Sequence, residues 1–150
     1  MQAKIFHYGS IGLIDEQCKV SYLAALRFAK TCNCILLYDP KLRLPLWPSA
    51  EAARNGIMSI WNLADVIKIS EDEITLLIDD GDPYDDDDDV KKKLFHPTLK
   101  LLIVTSGSKG CRYYTNVSLP KSFNSDFNCL NRFYNLSFHY FLCSLLWWVD

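Results

Sequence analysis

No Cys-x-x-Cys pair occurs among the six cysteines, and the three histidines (His7, His96 and His139) stand apart from them and from one another. A zinc centre needs ligands at recognisable spacing, so that class of site is excluded, and Cys32-Asn33-Cys34 reads as ordinary buried thiols. Basic residues show no excess: net charge is −2, and the one lysine cluster, Lys91-Lys92-Lys93, directly follows an acidic run. Nothing here attracts nucleic acid or an anionic surface. The opening residues, Met1 to His7, hold no apolar run of the secretory type. Unpatterned cysteines without such a segment fit a reducing, cytoplasmic setting. Long apolar stretches are scarce too. The segment 133–149 is aromatic and apolar but contains Asn135, Ser137, His139 and Ser144 and has no basic flank. A spanning helix needs about 20 predominantly apolar residues, so no membrane partner is expected, and a tail-anchored protein is the weakest of the alternatives.

What is present is a globular balance, 49% hydrophobic and 23% charged residues in 150, enough for one domain or part of one. Short apolar runs alternate with helical periodicity. Ile5 to Tyr8, Cys34 to Tyr38, Asp65 to Ile69 and Leu101 to Thr105 read as strands, with Cys111 to Tyr114 following a turn. Between them, Cys18, Tyr22, Ala25, Leu26 and Ala29 fall on one face of a helix over 17–30. Ala53, Ile57, Ile60, Trp61 and Ala64 repeat the spacing behind Ser49, a fitting N-cap, and Ser70 to Ile78 predicts a short third helix. Apolar strands separated by helices predict an α/β fold whose mostly parallel sheet is covered by helices on both faces. Ligands of such sheets gather at the carboxyl ends of the strands, which selects Asp39 to Arg43, Ser70 to Glu73 and Thr105 to Gly110.

Two stretches break the alternation. Residues 79–89 contain eight aspartates around Gly81, Pro83 and Tyr84, a self-repelling, solvated run without the spaced oxygens and closing glutamate of a calcium loop. From Asn116 onward the texture turns aromatic and irregular.

From the residues alone, Arg43 is a surface arginine in a proline-rich loop, Ser70-x-x-Glu73 is a capping box, and Gly107-x-x-Gly110 is a tight turn. Their order and spacing say more. Tyr38-Asp-Pro-Lys-Leu-Arg-Leu-Pro-Leu-Trp-Pro-Ser49 resembles a segment of plant-type fructokinases of the PfkB (ribokinase-like) carbohydrate kinase family. His7-Tyr-Gly-Ser-Ile11, Ala64-Asp-Val-Ile-Lys-Ile-Ser-Glu-Asp-Glu73 and Thr105-Ser-Gly-Ser-Lys-Gly-Cys-Arg-Tyr-Tyr114 resemble further segments of that family, nearly continuously from Ala3 to Thr115.

The resemblance implies a partial ribokinase-like domain over 1–115, with 116–150 a non-homologous tail. It implies ATP and fructose as substrates with Mg2+ as cofactor. Arg43 then contacts phosphate or sugar phosphate, with Asp39 in its polar network, and Glu73 helps hold magnesium and its water shell. Thr105, Gly107 and Gly110 approach the nucleotide. Lys41 departs from the asparagine usual in the family's Asp-x-Asn-x-Arg. The family's base is the aspartate of a Gly-Ala-Gly-Asp motif, which this sequence lacks, as it lacks the family's sugar-binding half. No catalytic residue is therefore assigned. The expectation is an inactive interior fragment, from a truncated or mis-spliced product, with a non-catalytic remnant that associates with intact kinase subunits as the alternative.

Overall fold

The computed structural model describes residues 3–78, 87–107 and 110–116. Residues 79–86 of the acidic run 79–89 and the tail from 117, with the apolar segment 133–149, lie outside the described residues.

Five strands form one sheet: β1 (Ile5–Tyr8), β2 (Ile35–Tyr38), β3 (Val66–Ser70), β4 (Leu101–Thr105) and β5 (Cys111–Tyr114). Their spatial order is the chain order; the first four are parallel and β5 runs antiparallel to β4. Helices α1 (Glu16–Thr31), α2 (Ala50–Ser59), α3 (Glu71–Leu77) and α4 (Asp87–Leu94) lie in the crossovers. Successive right-handed crossovers that always step the same way across a sheet deliver every helix to the same face. Among the described residues that is the outcome, in place of the expected cover on both faces. Leu26 and Ala29 of α1, Ile57 of α2, Ile74 and Leu77 of α3 and Val90 and Leu94 of α4 share one buried cluster with Leu36, Tyr38, Ile67, Ile69, Leu102 and Val104 of the strands. The alternate strand residues Leu37, Val66, Leu101 and Ile103 form a second cluster on the other face. Both faces are apolar, which is why these strands read as unbroken hydrophobic runs.

The helix ends follow local chemistry. Asp15 caps α1 by accepting the Cys18 N–H, and Ser49 caps α2 by accepting the Ala52 N–H at 3.0 Å. The inward stripe of α1 is shifted from the one the spacing predicts. Tyr22, Leu23, Leu26 and Ala29 pack inward, whereas Cys18 and Ala25 are exposed. The α2 helix also stops sooner. It ends at Ser59, and a 3-10 turn over Trp61–Leu63 carries the chain to β3. Trp61 fixes that turn, because its indole N–H is buried and donates to the Leu94 carbonyl at 2.8 Å. Nothing in the sequence pattern predicted α4, whose last turn carries Lys91, Lys92 and Lys93 where the helix dipole favours cations.

The thiols at 32 and 34 are not both buried as expected. Cys32 caps the C-terminal end of α1 in solvent, Asn33 turns the chain with φ +56°, and half-buried Cys34 donates to the Ala3 carbonyl. Among the described residues no helix is long and apolar enough to cross a membrane, and no cluster of His, Cys, Asp and Glu could hold a metal.

Candidate functional site

The carboxyl ends of β1, β2 and β3 meet at a tyrosine-lined corner. Tyr8 stacks on Tyr38 with ring centroids 4.8 Å apart, and Trp61 meets Tyr38 edge-on at 6.1 Å. Tyr38 shares a hydrogen bond of 2.7 Å with the Ser10 hydroxyl, and the Tyr22 hydroxyl donates to the Gly9 carbonyl. Burial raises the Tyr8 and Tyr38 hydroxyls well above the usual phenol range and pushes Tyr22 up to about 12. These phenols stay neutral at any physiological pH, so the corner is an apolar wall. The Tyr22 and Tyr38 hydroxyls are hydrogen-bonded, whereas the buried Tyr8 hydroxyl has no partner among the described residues.

That wall sets the direction of the next residues. The Asp39 N–H donates to the Tyr8 carbonyl and the Ser10 N–H to the Pro40 carbonyl, tying the β2 exit to the β1 exit. Asp39 is left 2% exposed, with Lys68 Nζ at 3.4 Å and Lys41 Nζ at 4.0 Å from its two oxygens. Burial raises its pKa more than the two lysines lower it. Lys41 itself sits at φ +49°, in the left-handed region. This backbone explains the asparagine usual at this place in the resembling family, because asparagine tolerates that conformation far better than most side chains. Arg43 follows, exposed at the start of a 3-10 turn over Leu44–Leu46, and Trp47 anchors the loop against α2. A Cβ at Gly56 would come within 2.5 Å of the Trp47 ring, so the edge of the indole abuts bare helix backbone there.

Glu73 closes the site from the β3 side. Its Oε1 accepts the Leu42 N–H at 2.7 Å, and its Oε2 accepts the N–H of Ser70 at 2.7 Å and the Ser70 hydroxyl at 2.9 Å. The predicted capping box is therefore present, and the same carboxylate also holds the loop that carries Arg43. Together Asp39, Lys41, Arg43, Lys68, Ser70 and Glu73 line an open cleft of about 300 Å³. The cations suit phosphate oxygens. With three donors already on Glu73, direct magnesium ligation does not suit it, but one free lone pair on Oε1 suits a water of a hydrated ion.

Of the residues singled out from sequence, Asp39, Arg43 and Glu73 come together in this cleft. Thr105, Gly107 and Gly110 do not line it; they form the turn one strand further on. Thr105 is the register partner of Ser70 and donates to the Ile69 carbonyl at 3.3 Å. Gly107 and Gly110 adopt φ +53° and +107°, which only glycine takes up without strain, and the Ser106 N–H donates to the Gly110 carbonyl at 2.8 Å. Two residues were missed. Lys68 is a lone charge in an apolar strand two residues from its carboxyl end, a signal that could have found it. Glu71 accepts the Ser106 hydroxyl at 2.6 Å and pairs with Arg112 at 3.5 Å. Only the assembled sheet brings those partners together.

Comparison with known proteins agrees with this geometry. A family model described as pfkB family carbohydrate kinase matches residues 1–126. The chain is 68% identical over 114 residues to "Probable fructokinase-7" of Arabidopsis thaliana, covering 76% of this chain and 33% of that protein. It is 54% identical over 114 residues to "Fructokinase-2" of Oryza sativa subsp. japonica, covering 76% of this chain and 33% of that protein. The chain thus spans about a third of the length of these curated relatives. Among solved structures, a Vibrio cholerae fructokinase in a fructose-, ADP- and calcium-bound form superposes with a TM-score of 0.67 at 27% identity, over 79% of this chain and 38% of that one.

Proposed function

The chain belongs to the pfkB family of carbohydrate kinases, and from that premise we propose that it forms the phosphate and nucleotide side of a fructokinase, whose reaction moves the γ-phosphoryl group of ATP to fructose. The single observation that carries this reading is the cleft at the strand ends. It gathers Arg43, Lys41 and Lys68 around two buried carboxylates and the exposed Asp72, one strand away from a glycine turn whose backbone can approach a nucleotide. Phosphoryl transfer asks the protein mainly for positioning and neutralisation of charge, and these residues supply both. Arg43 presents its forked donors to phosphate oxygens. Lys41 and Lys68 bring ammonium groups to the same cleft, Lys68 held by Asp39 at 3.4 Å. Gly107 and Gly110 let the backbone approach the nucleotide, with Thr105 at the start of their turn. A magnesium ion would supply charge neutralisation between phosphates, and Glu73 would hold it through a hydration water.

The 150 residues contain no Gly-Ala-Gly-Asp segment, which the resemblance makes the source of the base. We therefore assign nucleotide binding, without sugar turnover, to these residues taken by themselves, with the kinase-like part over 1–115 and a tail over 116–150. Free thiols on exposed Cys18 and Cys32 support a reducing, cytoplasmic compartment. Calorimetric titration with ATP and Mg2+, paired with a coupled assay for fructose phosphorylation, tests the reading. Binding without turnover is expected. Heat-free titration of a folded sample would sink the nucleotide assignment, and turnover would sink the inactivity.

A second reading, association with other kinase subunits, is favoured by one observation. Val20 and Phe28 on the outer face of α1 are 71% and 70% exposed. Co-elution with a full-length fructokinase, lost on Phe28→Ser, is the expected result; separate elution removes this reading.

A further inference from the structure

The first turn of α3 carries two glutamates that point to different neighbours. Glu73 reaches back to the Leu42 N–H on the loop after β2. Glu71 reaches forward. Its Oε1 accepts the Ser106 hydroxyl at 2.6 Å and lies 3.5 Å from the Arg112 guanidinium, contacts that span 35 and 41 residues of sequence. The Glu71 and Arg112 side chains are 14% and 30% exposed, so the pair is screened far less than a surface ion pair. Ser106 opens the turn between β4 and β5. Its N–H donates to Gly110 at 2.8 Å, and the Gly110 N–H donates back to Gly107 at 3.3 Å. Gly107 and Gly110, both at positive φ, carry no side chain that could hold their backbone in place. Glu71 holds both the entry to the turn, at Ser106, and the strand that leaves it, at Arg112.

We infer that Glu71 is a positioning residue for nucleotide binding: it sets the β4–β5 turn relative to the cleft at the β2 and β3 ends through Ser106 and Arg112. The inference rests on the nucleotide reading above. The bond to an ionised acceptor is of the strong kind, and its loss frees a turn that bears the backbone groups offered to the ligand. Both of these contacts bear on the same turn, so weakening either loosens it.

The test uses the full 150-residue chain, titrated with ATP and Mg2+ by calorimetry, with amide hydrogen exchange as a readout that needs no ligand. Glu71→Gln and Ser106→Ala should each weaken binding roughly tenfold, the size of one charge-assisted hydrogen bond. The double variant should bind no more weakly than the worse single one, since each removes the charge-assisted character of the same contact. Exposed Glu51→Gln should bind as the unaltered chain does. In Glu71→Gln the amides of Ser106 and Gly110 should exchange faster while that of Ile57 in α2 keeps its rate. If Ile57 also speeds up, the variant has loosened globally, and Ser106→Ala, which deletes only a hydroxyl, decides the matter. Unchanged affinity in both single variants, or additive losses in the double, overturns the role of Glu71 and leaves the nucleotide reading standing. Failure of the unaltered chain to bind MgATP overturns that reading, and the role assigned to Glu71 with it.

Discussion

Asp39 and Glu73 are both buried at strand ends a few residues from the same loop, yet their charges are held by opposite means. Glu73 is 7% exposed and takes three short hydrogen bonds, from two backbone N–H groups and one hydroxyl. Asp39 is 2% exposed and faces two lysine ammonium groups at 3.4 and 4.0 Å. Fixed neutral donors solvate a carboxylate without bringing further charge, and they shape the loop while doing so. Flexible ammonium groups at these distances leave the carboxyl short of solvation, and the upward shift of its pKa records this. The first arrangement builds structure; the second keeps two ammonium groups beside a cleft. Replacing Glu73 should therefore give the largest effect. Glu73→Ala removes the shared acceptor of the half-buried Leu42 and Ser70 N–H groups, and a loss of about 2 kcal/mol in urea unfolding is expected. Glu73→Gln keeps a single carbonyl acceptor and should lose less. Equal losses for the two variants would show that packing, not hydrogen bonding, makes Glu73 matter.

The Asp39 half of the comparison is broken by pH. A carboxyl whose pKa is higher in the folded chain than in the unfolded one binds its proton more tightly when folded. Its contribution to stability is full below the ordinary aspartate value of 3.8 and declines as pH rises through the raised folded value. Asp39→Asn removes that titration. The difference in stability between Asp39→Asn and the unaltered chain should change in favour of the variant across that window and stay level above it. A difference that does not vary with pH would mean that the two lysines fully compensate the buried charge, which would make Asp39 as well solvated as Glu73.

The sheet was legible because its strands are apolar on both faces, and such runs leave little choice of element. The helix caps at Ser49 and Ser70 were legible for a similar reason, as capping is decided within four residues. What sequence could not supply was direction. The same-face placement of α1 to α4 depends on strand order, which no single segment encodes. The length of α2 was overestimated because the Trp61 indole leaves the helix to find a carbonyl 33 residues away. Within the site, Asp39, Arg43 and Glu73 were found from the resemblance, and their meeting in one cleft follows from adjacent parallel strands. Glu71 and Lys68 escaped because their partners are distant in sequence: Ser106 and Arg112 for one, Asp39 for the other. Helical and strand periodicities carry no information about such pairs.

The smallest expected effect concerns Lys41, where backbone and electrostatics disagree. Its φ of +49° strains a lysine, and asparagine at this position would relieve part of the strain. Its ammonium lies 4.0 Å from Asp39 on a side chain that is 57% exposed, a geometry in which an ion pair contributes little. Backbone relief should win, so Lys41→Asn should raise stability by about 0.5 kcal/mol, read as a higher urea midpoint at unchanged slope. Phosphate affinity should move the other way, because one of the three cations of the cleft is lost. A fall in stability would mean that the Lys41 charge supports Asp39 more strongly than its distance implies. The buried aspartate would then depend on both lysines together, and the contrast with the self-sufficient Glu73 would be sharper than the structure alone makes it.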